Sequence, residues 1–409
     1  MLKPGLKSLF VILIVFTTFT CIDPFYPKLA SYEPLLVAEG LITNDNSSYV
    51  VRLSNTKQSG DATTLMISDA AVSITDETGT RTSLTPFGNG IYKTDSLTFR
   101  GEVGKTYRLN IKTSNGKEYE SDSCTMMPVP PIDSIYFDKD VKLTDNNTVT
   151  RQGLSVFLDS KGGVDDKYFM RWEFEEAWKF SVPLPRLYIF VNDTTWIQLT
   201  NDQINEYCWK SARSSGITTG AILSGSSGML KKQPIQFISP ELTDRLSIRY
   251  SILVKQYSVS QKEYDYWNNL QQVNETNGDI FGAQPFAVVS NIKNINNSTE
   301  QVLGYFQVSA VAKRRKYIDF NETIPLNLPF YHTTCQRITK KPTDYQMAWG
   351  VALTFEDLYT IFMSKPGYTF IEPVLDVAGK LQKMTFTTSE CADCTLSGTT
   401  KKPDFWTDN

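Results

Sequence analysis

The stretch GEVGKTYRLNIKTSNGKEYESDS, residues 101–123, decides the fold class of the first part of the chain. Tyr107, Leu109 and Ile111 alternate with polar side chains, which places the apolar groups on one face of a strand. An Asn-Gly pair at 115–116 follows, and this pair favours the tight turn of a β-hairpin. The stretch therefore predicts two antiparallel strands that each turn one face towards a core.

The first residues of the same stretch, GEVGKT at 101–106, bear a partial likeness to a phosphate-binding loop. Such a loop needs a glycine five residues before the glycine of GKT, where this chain has Phe99, and it must open a helix. Because a strand follows instead, the sequence predicts a turn here and not a nucleotide site.

Similar short strands surround this hairpin. LLVAEGLIT (35–43) and SYVVRLSNT (48–56) flank a turn cluster, Val72 and Ile74 alternate with polar residues, and Asn-Gly at 89–90 marks another hairpin. About seven strands at this spacing predict an immunoglobulin-like β-sandwich over residues 34–128. The proline-rich MPVPPIDSI then marks a boundary, after which a larger β-rich α+β domain is expected over residues 129–409.

One helix is well marked in this second part, in SVSQKEYDYWNNLQQVNETNG. Ser260 is the expected N-cap, and Glu263 three residues later completes a capping box. Val259 and Tyr264 form the expected hydrophobic staple, and Asn-Gly at 277–278 ends the helix. The sequence thus predicts a mainly β protein with a single clear helix that packs against a sheet.

The N-terminus has the features of a secretory signal peptide over residues 1–20. Lys3 and Lys7 precede the apolar run LFVILIVF, which is too short to span a bilayer. Small residues then lead to Cys21, which predicts a lipidated first residue of the mature chain, followed by a tether over 21–33. The alternative is a secreted protein with a free thiol near its N-terminus.

Five further cysteines remain: Cys124, Cys208, Cys335, Cys391 and Cys394. In an exported protein they are expected to form disulfides, with at least one left free because their number is odd. The CADC sequence at 391–394 could instead be a redox pair, or half of a zinc site with Cys208 and Cys335. No helix signal follows CADC, which favours disulfides over a redox motif.

The charge balance excludes a nucleic-acid-binding surface of the usual kind. The chain has 41 Lys and Arg against 44 Asp and Glu, a net charge of −3. Its one basic run, Lys313 to Lys316, follows an apolar stretch. We interpret this run as a solvated strand end or turn rather than an anion site.

Two groups of residues were candidates for catalysis. His332 is the chain's one histidine and lies near Cys335, but no nucleophile motif surrounds them. Glu173, Glu175 and Glu176 in RWEFEEAW could form a glycosidase pair, although acid–aromatic alternation is also typical of a half-exposed edge strand. No catalytic residue, cofactor or metal ligand is therefore assigned from the sequence.

Several motifs in order resemble the Bacteroidota family DUF4249, a domain of unknown function. They are PLLVAEGLIT, GKTYRLNIKTSNGKEYES before PPIDSI, YFMRWEFEEAW, QYSVSQKEYDYWNNL, VLGYFQVSAV and CADCTLSGTTKKPDFW. The resemblance implies exported lipoproteins whose genes lie beside those of TonB-dependent outer-membrane transporters, with no enzyme activity and no cofactor. It also implies that cysteines matching Cys208, Cys335, Cys391 and Cys394 recur, which leaves Cys124 as the odd one.

Together these observations predict an outer-membrane lipoprotein that is a non-enzymatic accessory subunit of a TonB-dependent transporter, capturing a ligand or capping the barrel. Its other expected partner is the bilayer, through the acylated N-terminus, and no nucleic acid is expected. The cell surface is the expected location, with the periplasmic leaflet as the alternative because Asp23 is the one acid close behind Cys21. The other hypotheses are a glycan- or peptide-processing enzyme with unidentified carboxylates and an adhesin or structural surface protein.

Overall fold

The computed structural model describes residues 34–57, 65–143, 149–225, 227–276, 289–331, 333–345 and 352–408. These residues form a mainly β protein with several sheets and three α-helices, which confirms the predicted fold class. Cys21, its tether and His332 lie outside the described residues.

The strands are numbered in chain order. The first ten are β1 Leu36–Thr43, β2 Val50–Asn55, β3 Leu65–Met66, β4 Ala71–Asp76, β5 Arg81–Ser83, β6 Thr85–Pro86, β7 Ile91–Lys93, β8 Thr106–Lys112, β9 Glu118–Ser121 and β10 Cys124–Thr125. The next nine are β11 Ile132–Leu143, β12 Thr150–Lys161, β13 Tyr168–Ser181, β14 Tyr188–Asn192, β15 Thr195–Gln198, β16 Tyr207–Arg213, β17 Thr218–Ile222, β18 Met229–Ile238 and β19 Arg249–Val259. The last six are β20 Ile292–Asn294, β21 Phe306–Ser309, β22 Val311–Asp319, β23 Ile338–Lys340, β24 Tyr368–Leu375 and β25 Leu381–Thr388. The helices are α1 Gln261–Thr276, α2 Phe320–Thr323 and α3 Phe355–Met363.

The first β-sandwich consists of two six-stranded sheets with a shared apolar core. One sheet has the order β21-β1-β2-β7-β6 with β3 beside β2, and the other has the order β20-β9-β8-β4-β5 with β10 beside β8. The inward side chains of the alternating strands, such as Leu53, Ile74, Tyr92 and Leu109, are fully buried between the sheets. The hairpin expected at residues 115–116 joins β8 to β9.

Two strands of this sandwich come from far along the chain. β21 pairs in parallel with β1, and β20 pairs with β9, although both follow α1 in sequence. Gly304 lies where the returning chain reaches β1, with a φ of 89°, and a Cβ there would lie 2.2 Å from the Ala38 carbonyl oxygen. The expected range of 34–128 for the sandwich therefore does not contain these two strands.

The second sandwich packs the sheet β11-β12-β18 on the sheet β16-β13-β19-β22, in which β17 also pairs with β13. β13 carries the RWEFEEAW sequence and has neighbours on both sides. The interpretation of this segment as an edge strand was therefore wrong. Trp172 and Trp178 belong to the buried face of a central strand, and the acids lie among residues of two adjacent strands.

Helix α1 begins where its sequence predicts. The Oγ atom of Ser260 accepts the backbone N–H of Glu263 at 3.2 Å, whereas the Glu263 carboxylate accepts the Trp267 indole N–H, also at 3.2 Å. Tyr264 stacks on Phe169 of β13 with ring centroids 4.9 Å apart, so the helix packs on the outer face of the central sheet. The expected helix end at residues 277–278 lies outside the described residues.

A smaller unit follows the second sandwich and has its own aromatic core. It comprises the sheet β23-β25-β24, the hairpin β14-β15 and helix α3. Phe362 of α3 stacks on Phe386 of β25 with centroids 4.0 Å apart. Helix α3 was not predicted, although the Thr354 side chain caps it by accepting the Asp357 N–H.

Two disulfides and a C-terminal segment join these units. Cys208 of β16 is bonded to Cys394, and Cys335 is bonded to Cys391, so all four predicted disulfide candidates are paired. CADC is accordingly not a redox pair, and its cysteines are not zinc ligands. Residues 399–408 are here called the C-terminal strap. Thr399, the first residue of the strap, forms an antiparallel backbone bridge with Trp209 of β16, and Trp406 packs edge-on against Tyr317 of β22.

Candidate functional site

Glu176, one of the three candidate catalytic acids, is a buried structural anion. Its side chain is 2 % exposed and pairs with the Arg245 guanidinium, N to O 2.6 Å, while the Tyr250 hydroxyl donates to it at 2.7 Å. Buried charges of this kind are tolerated when paired and hydrogen-bonded. The Arg245 guanidinium and the Tyr250 hydroxyl already bind the Glu176 carboxylate, so this carboxylate is not free to act on a substrate.

The other two acids of this strand lie on its opposite, outer face. Glu173 pairs with the Arg171 guanidinium at 2.7 Å, and Glu175 pairs with the Lys255 ammonium at 2.7 Å. Partial burial opposes ionisation of Glu175, but the hydrogen bond and charge of Lys255 outweigh it and lower its pKa. A glycosidase acid needs a raised pKa, so the shift at Glu175 runs in the direction opposite to that role.

The basic run at 313–316 lies inside β22, so its interpretation as a strand end or turn was wrong. Each of its side chains contacts a different segment. Lys313 pairs with Asp45, and Arg314 donates to the Ile132 and Asp133 carbonyls. Arg315 donates to Ser251 and lies over the Phe405 ring, whereas Lys316 pairs with Glu322. Alternation along the strand sends these residues to opposite faces. The run therefore joins the two sandwiches and the C-terminal strap to β22.

Glu263, which was predicted only as part of a helix cap, lies at the junction of the two sandwiches. Burial raises the pKa of Glu263 to about 8, opposed by the Trp267 hydrogen bond and by the charge of Arg171. Burial likewise raises the pKa of the Cys124 thiol to about 12, and the Glu263 charge adds to this shift. The available signal was a glutamate in the first turn of a helix, which was read only as a cap.

A largely apolar cleft of about 510 Å³ lies beside α2. Its walls come from the end of β13, the loop before β19 and the segment after α2, with Leu246, Phe320, Leu328 and Phe330 among the lining residues. A second cleft of about 540 Å³ lies on the other side of residues 327–330 and reaches the β11–β12 hairpin. The segment 327–330 is thus a ridge between two clefts.

Large apolar side chains are exposed around this ridge. We call the exposed apolar residues that line the two clefts the apolar surface: Val141, Ile324, Phe330 and Tyr331. Phe330, on the ridge, is 65 % exposed. Soluble monomers rarely expose apolar groups together in this way, and such patches are typical of sites that bind protein or membrane.

Covalent and polar contacts fix the ridge in place. Asn327 takes a left-handed conformation, with φ 48°, and ends the short helical turn at 324–326. The Lys139 ammonium donates to the Asn327 carbonyl at 3.3 Å, and the Cys335–Cys391 disulfide ties the following segment to the C-terminal unit. A binding surface held in this way loses little conformational entropy when a partner docks.

The structure assigns different roles to the remaining predicted site residues. Cys335 is bonded to Cys391, so it is not a thiol nucleophile beside His332. Within the described residues, no three His, Cys, Asp or Glu side chains are grouped so that they could hold a metal ion. No helix in those same ranges is long and apolar enough to cross a membrane.

Comparison with known proteins places the chain in a family. No curated protein matches it significantly. The family model described as "Domain of unknown function (DUF4249)" matches residues 22–315, from the predicted tether to the interior of β22. This match covers well over half of the 409 residues, including most of both sandwiches. The chain therefore belongs to the DUF4249 family.

Proposed function

We propose that this protein is an exported outer-membrane lipoprotein that docks on a TonB-dependent transporter as a non-enzymatic accessory subunit. The observation that carries the proposal is the apolar surface around Phe330, with its two clefts. Exposed aromatic groups beside a pocket are typical centres of protein–protein interfaces. The resemblance noted above supplies the partner class, because genes of the family lie beside those of such transporters.

Two further features support an exported protein. Disulfides persist in oxidising compartments, and this chain has two of them, Cys208–Cys394 and Cys335–Cys391. Residues 1–20 have the composition of a signal peptide that ends at Cys21. Acylation of Cys21 with two or more chains would give a stable membrane anchor.

The tether suits a protein that must reach a partner in the same membrane. From Cys21, residues 22–33 extend to at most about 40 Å before the first strand region begins. That reach allows the apolar surface to meet the exposed part of a barrel. The anchor then supplies effective concentration, so a modest interface area suffices.

The docking proposal is tested by placing charge on the apolar surface. Phe330→Asp together with Tyr331→Asp should abolish co-purification with a large β-barrel after mild detergent extraction, because a carboxylate in an apolar interface is desolvated without a partner. The matched control is Leu97→Asp, since Leu97 is 92 % exposed and lies in the first sandwich. Equal recovery of the barrel with both variants would contradict the proposal.

The anchor is tested separately. Cys21→Ser should move the protein from the membrane fraction to the soluble fraction, because the acyl chains can no longer be attached. Mass spectrometry of the N-terminal peptide of the unaltered protein should show the acyl modification on Cys21. Membrane retention of the Cys21→Ser variant would rule out the lipid anchor, whatever the outcome for the apolar surface.

A further inference from the structure

The outer face of the central sheet in the second sandwich has an open, charged floor. Two neighbouring cross-strand rows form this floor. One row carries Arg213, Glu175, Leu253 and Arg315, and the next carries Glu173, Lys255 and Lys313. Glu173, Glu175 and Lys313 are each more than a third exposed, and Arg213 is 83 % exposed.

Walls stand on both sides of these rows. On one side α1 covers the row of Arg171, whose guanidinium lies 4.5 Å from the Trp267 ring centroid. On the other side the C-terminal strap places the Phe405 ring 3.6 Å from the Arg315 guanidinium. Because side chains two residues apart in a strand are about 6.7 Å apart, the row of Arg171 and the row of Glu175 and Arg315 are separated by about 13 Å. An extended chain with its side chains, about 10 Å across, fits between them.

The face is positively charged although the chain is not. Between α1 and the C-terminal strap the face carries the cations Arg213, Lys255, Lys313 and Arg315, and the carboxylates Glu173, Glu175 and the Asp45 partner of Lys313. Four cations against three carboxylates give +1 on this floor, whereas the whole chain carries −3. A groove with one sign of charge concentrates ligands of the other sign.

Glu175 is at the centre of this excess charge. Lys255 pairs with it at 2.7 Å, the Arg213 guanidinium lies 3.9 Å away, and the charge of Arg315 also lowers its pKa. One carboxylate thus faces three cations and leaves most of their charge uncompensated. The Arg315 guanidinium donates to the Ser251 hydroxyl at 2.8 Å, which fixes its position beside the Phe405 ring.

We propose that this groove binds an extended acidic segment of a partner protein, which crosses the strands between α1 and the C-terminal strap. Arg213 and Arg315 lie three strand spacings apart in one row, about 14 Å. That distance matches two carboxylates four residues apart in an extended chain, about 13 Å. The groove and the apolar surface are separate sites, so the inference stands independently of transporter docking.

The test uses the full-length protein in detergent and fluorescein-labelled octaglutamate, followed by anisotropy. Binding should be saturable, should weaken with added salt and should be absent for labelled octalysine. Arg213→Glu should weaken binding about tenfold, the loss expected when one charge pair becomes a repulsion. Arg81→Glu is the matched control, because this substitution makes the same change of charge at an exposed site in the first sandwich.

Three outcomes would overturn the proposal. The first is no binding of octaglutamate at low salt, and the second is equal weakening by Arg213→Glu and Arg81→Glu, which would indicate a general charge effect. The third is full displacement of the peptide by inorganic phosphate at comparable total charge, which would indicate a small-anion site. Recovery of the β-barrel with Arg213→Glu, measured in parallel, separates this groove from the apolar surface.

Discussion

The two sandwiches share an architecture but differ in what stabilises them. The first is held by apolar side chains that alternate along short strands, with Leu53, Tyr92 and Leu109 fully buried. The second buries an ion pair and a connected polar network among its apolar groups, whereas buried polar groups of the first, such as Ser121 and Asn291, bond to nearby backbone. Gln256, which is fully buried, accepts from Ser160 at 2.5 Å and from the Trp172 indole at 2.8 Å. It donates to the Pro130 carbonyl at 2.7 Å.

This difference teaches that similar sheets respond differently to substitution. Apolar burial is graded, because each lost methylene costs a similar amount. A buried polar network behaves differently, since removing one member leaves its partners desolvated and unpaired. We therefore expect substitutions to lower the stability of the second sandwich most at a few buried polar positions, and that of the first sandwich most at its backbone turns.

The largest effect is expected at Glu176. Glu176→Ala should lower the free energy of unfolding by about 3–5 kcal/mol, because Arg245 and Tyr250 then lose their buried anion. The control is Glu120→Ala in the first sandwich, whose exposed pair with Arg108 should be worth less than about 1 kcal/mol. Denaturant titration gives both values. If Glu176→Ala lowered the free energy of unfolding by less than Glu120→Ala does, the expected difference in sensitivity between the two sandwiches would be wrong.

The next largest effect is a dependence of stability on pH, which Glu263 causes at the junction of the two sandwiches. The native protein retains the Glu263 proton up to about pH 8, whereas the unfolded chain loses it near 4.5. Stability should therefore be highest below pH 4.5 for this group and fall as the pH rises to about 8. The full change is at most on the order of 5 kcal/mol.

Groups that face Glu263 set this behaviour: Ser260 and Trp267 on α1, Arg171 on β13, and Cys124 and Tyr305 from the first sandwich. Glu263→Gln keeps the size of the side chain and removes its titration. Denaturation curves across this pH range should be flatter for the variant than for the unaltered protein. Equal slopes would show that Glu263 is ionised in the folded protein.

The disulfide between β16 and the C-terminal unit should rank third. Replacing Cys208 and Cys394 together with Ala should cost about 2–4 kcal/mol, because the bond closes a loop of 186 residues. Cys124→Ala in the first sandwich serves as a control, since its thiol is not bonded to another cysteine. Thermal melts should separate the two, and an equally stable double variant would show that the other contacts of the C-terminal unit are sufficient.

A backbone substitution tests the first sandwich. Gly304→Ala should cost about 2–3 kcal/mol, because it adds a clash with the Ala38 carbonyl to the strain of a positive φ. Gly79 has a similar φ of 87° with no atom near its Cβ position, so Gly79→Ala should cost only about 1 kcal/mol. If Gly304→Ala and Gly79→Ala were equally stable, the close approach of residue 304 to the β1 backbone would not contribute to the cost of the substitution.

The smallest effect is expected where a surface ion pair bridges the sandwiches. Lys313→Ala removes the contact with Asp45, and both side chains are about one-third exposed. Such pairs contribute less than about 1 kcal/mol. Chemical denaturation should show this small loss, and the loss should shrink further at high salt. A larger loss would mean that the two sandwiches depend on this contact for their relative position.

Local signals predicted much of this fold. Alternation at Tyr107, Leu109 and Ile111 and the Asn-Gly turn at 115–116 identified a hairpin whose strands bury those side chains. The Ser260 cap identified the start of α1. In each case the information lies within a few residues, so the sequence alone is sufficient.

Long-range pairing was not visible in the sequence. β20 spans only Ile292–Asn294 and is a strand because β9 offers it an edge, a fact that no local pattern carries. The acids of RWEFEEAW likewise gave no sign that their strand is central, because Glu175 and Glu176 pair with cations far along the chain, Lys255 of β19 and Arg245 of the turn before it. The apolar surface was missed because its members are scattered between residues 141 and 331.

The return of the chain to the first sandwich has a consequence for how the protein reaches its folded state. Its two sheets are complete only when β20 and β21 are present, at residues 292–309. During synthesis the N-terminal strands must therefore wait for a segment some 260 residues behind them, since β1 ends at Thr43 and β21 begins at Phe306. Contacts of such sequence separation form slowly and leave strand edges unpaired meanwhile. Chaperones that shield β1 and β9 would thus be needed until residues 292–309 have emerged.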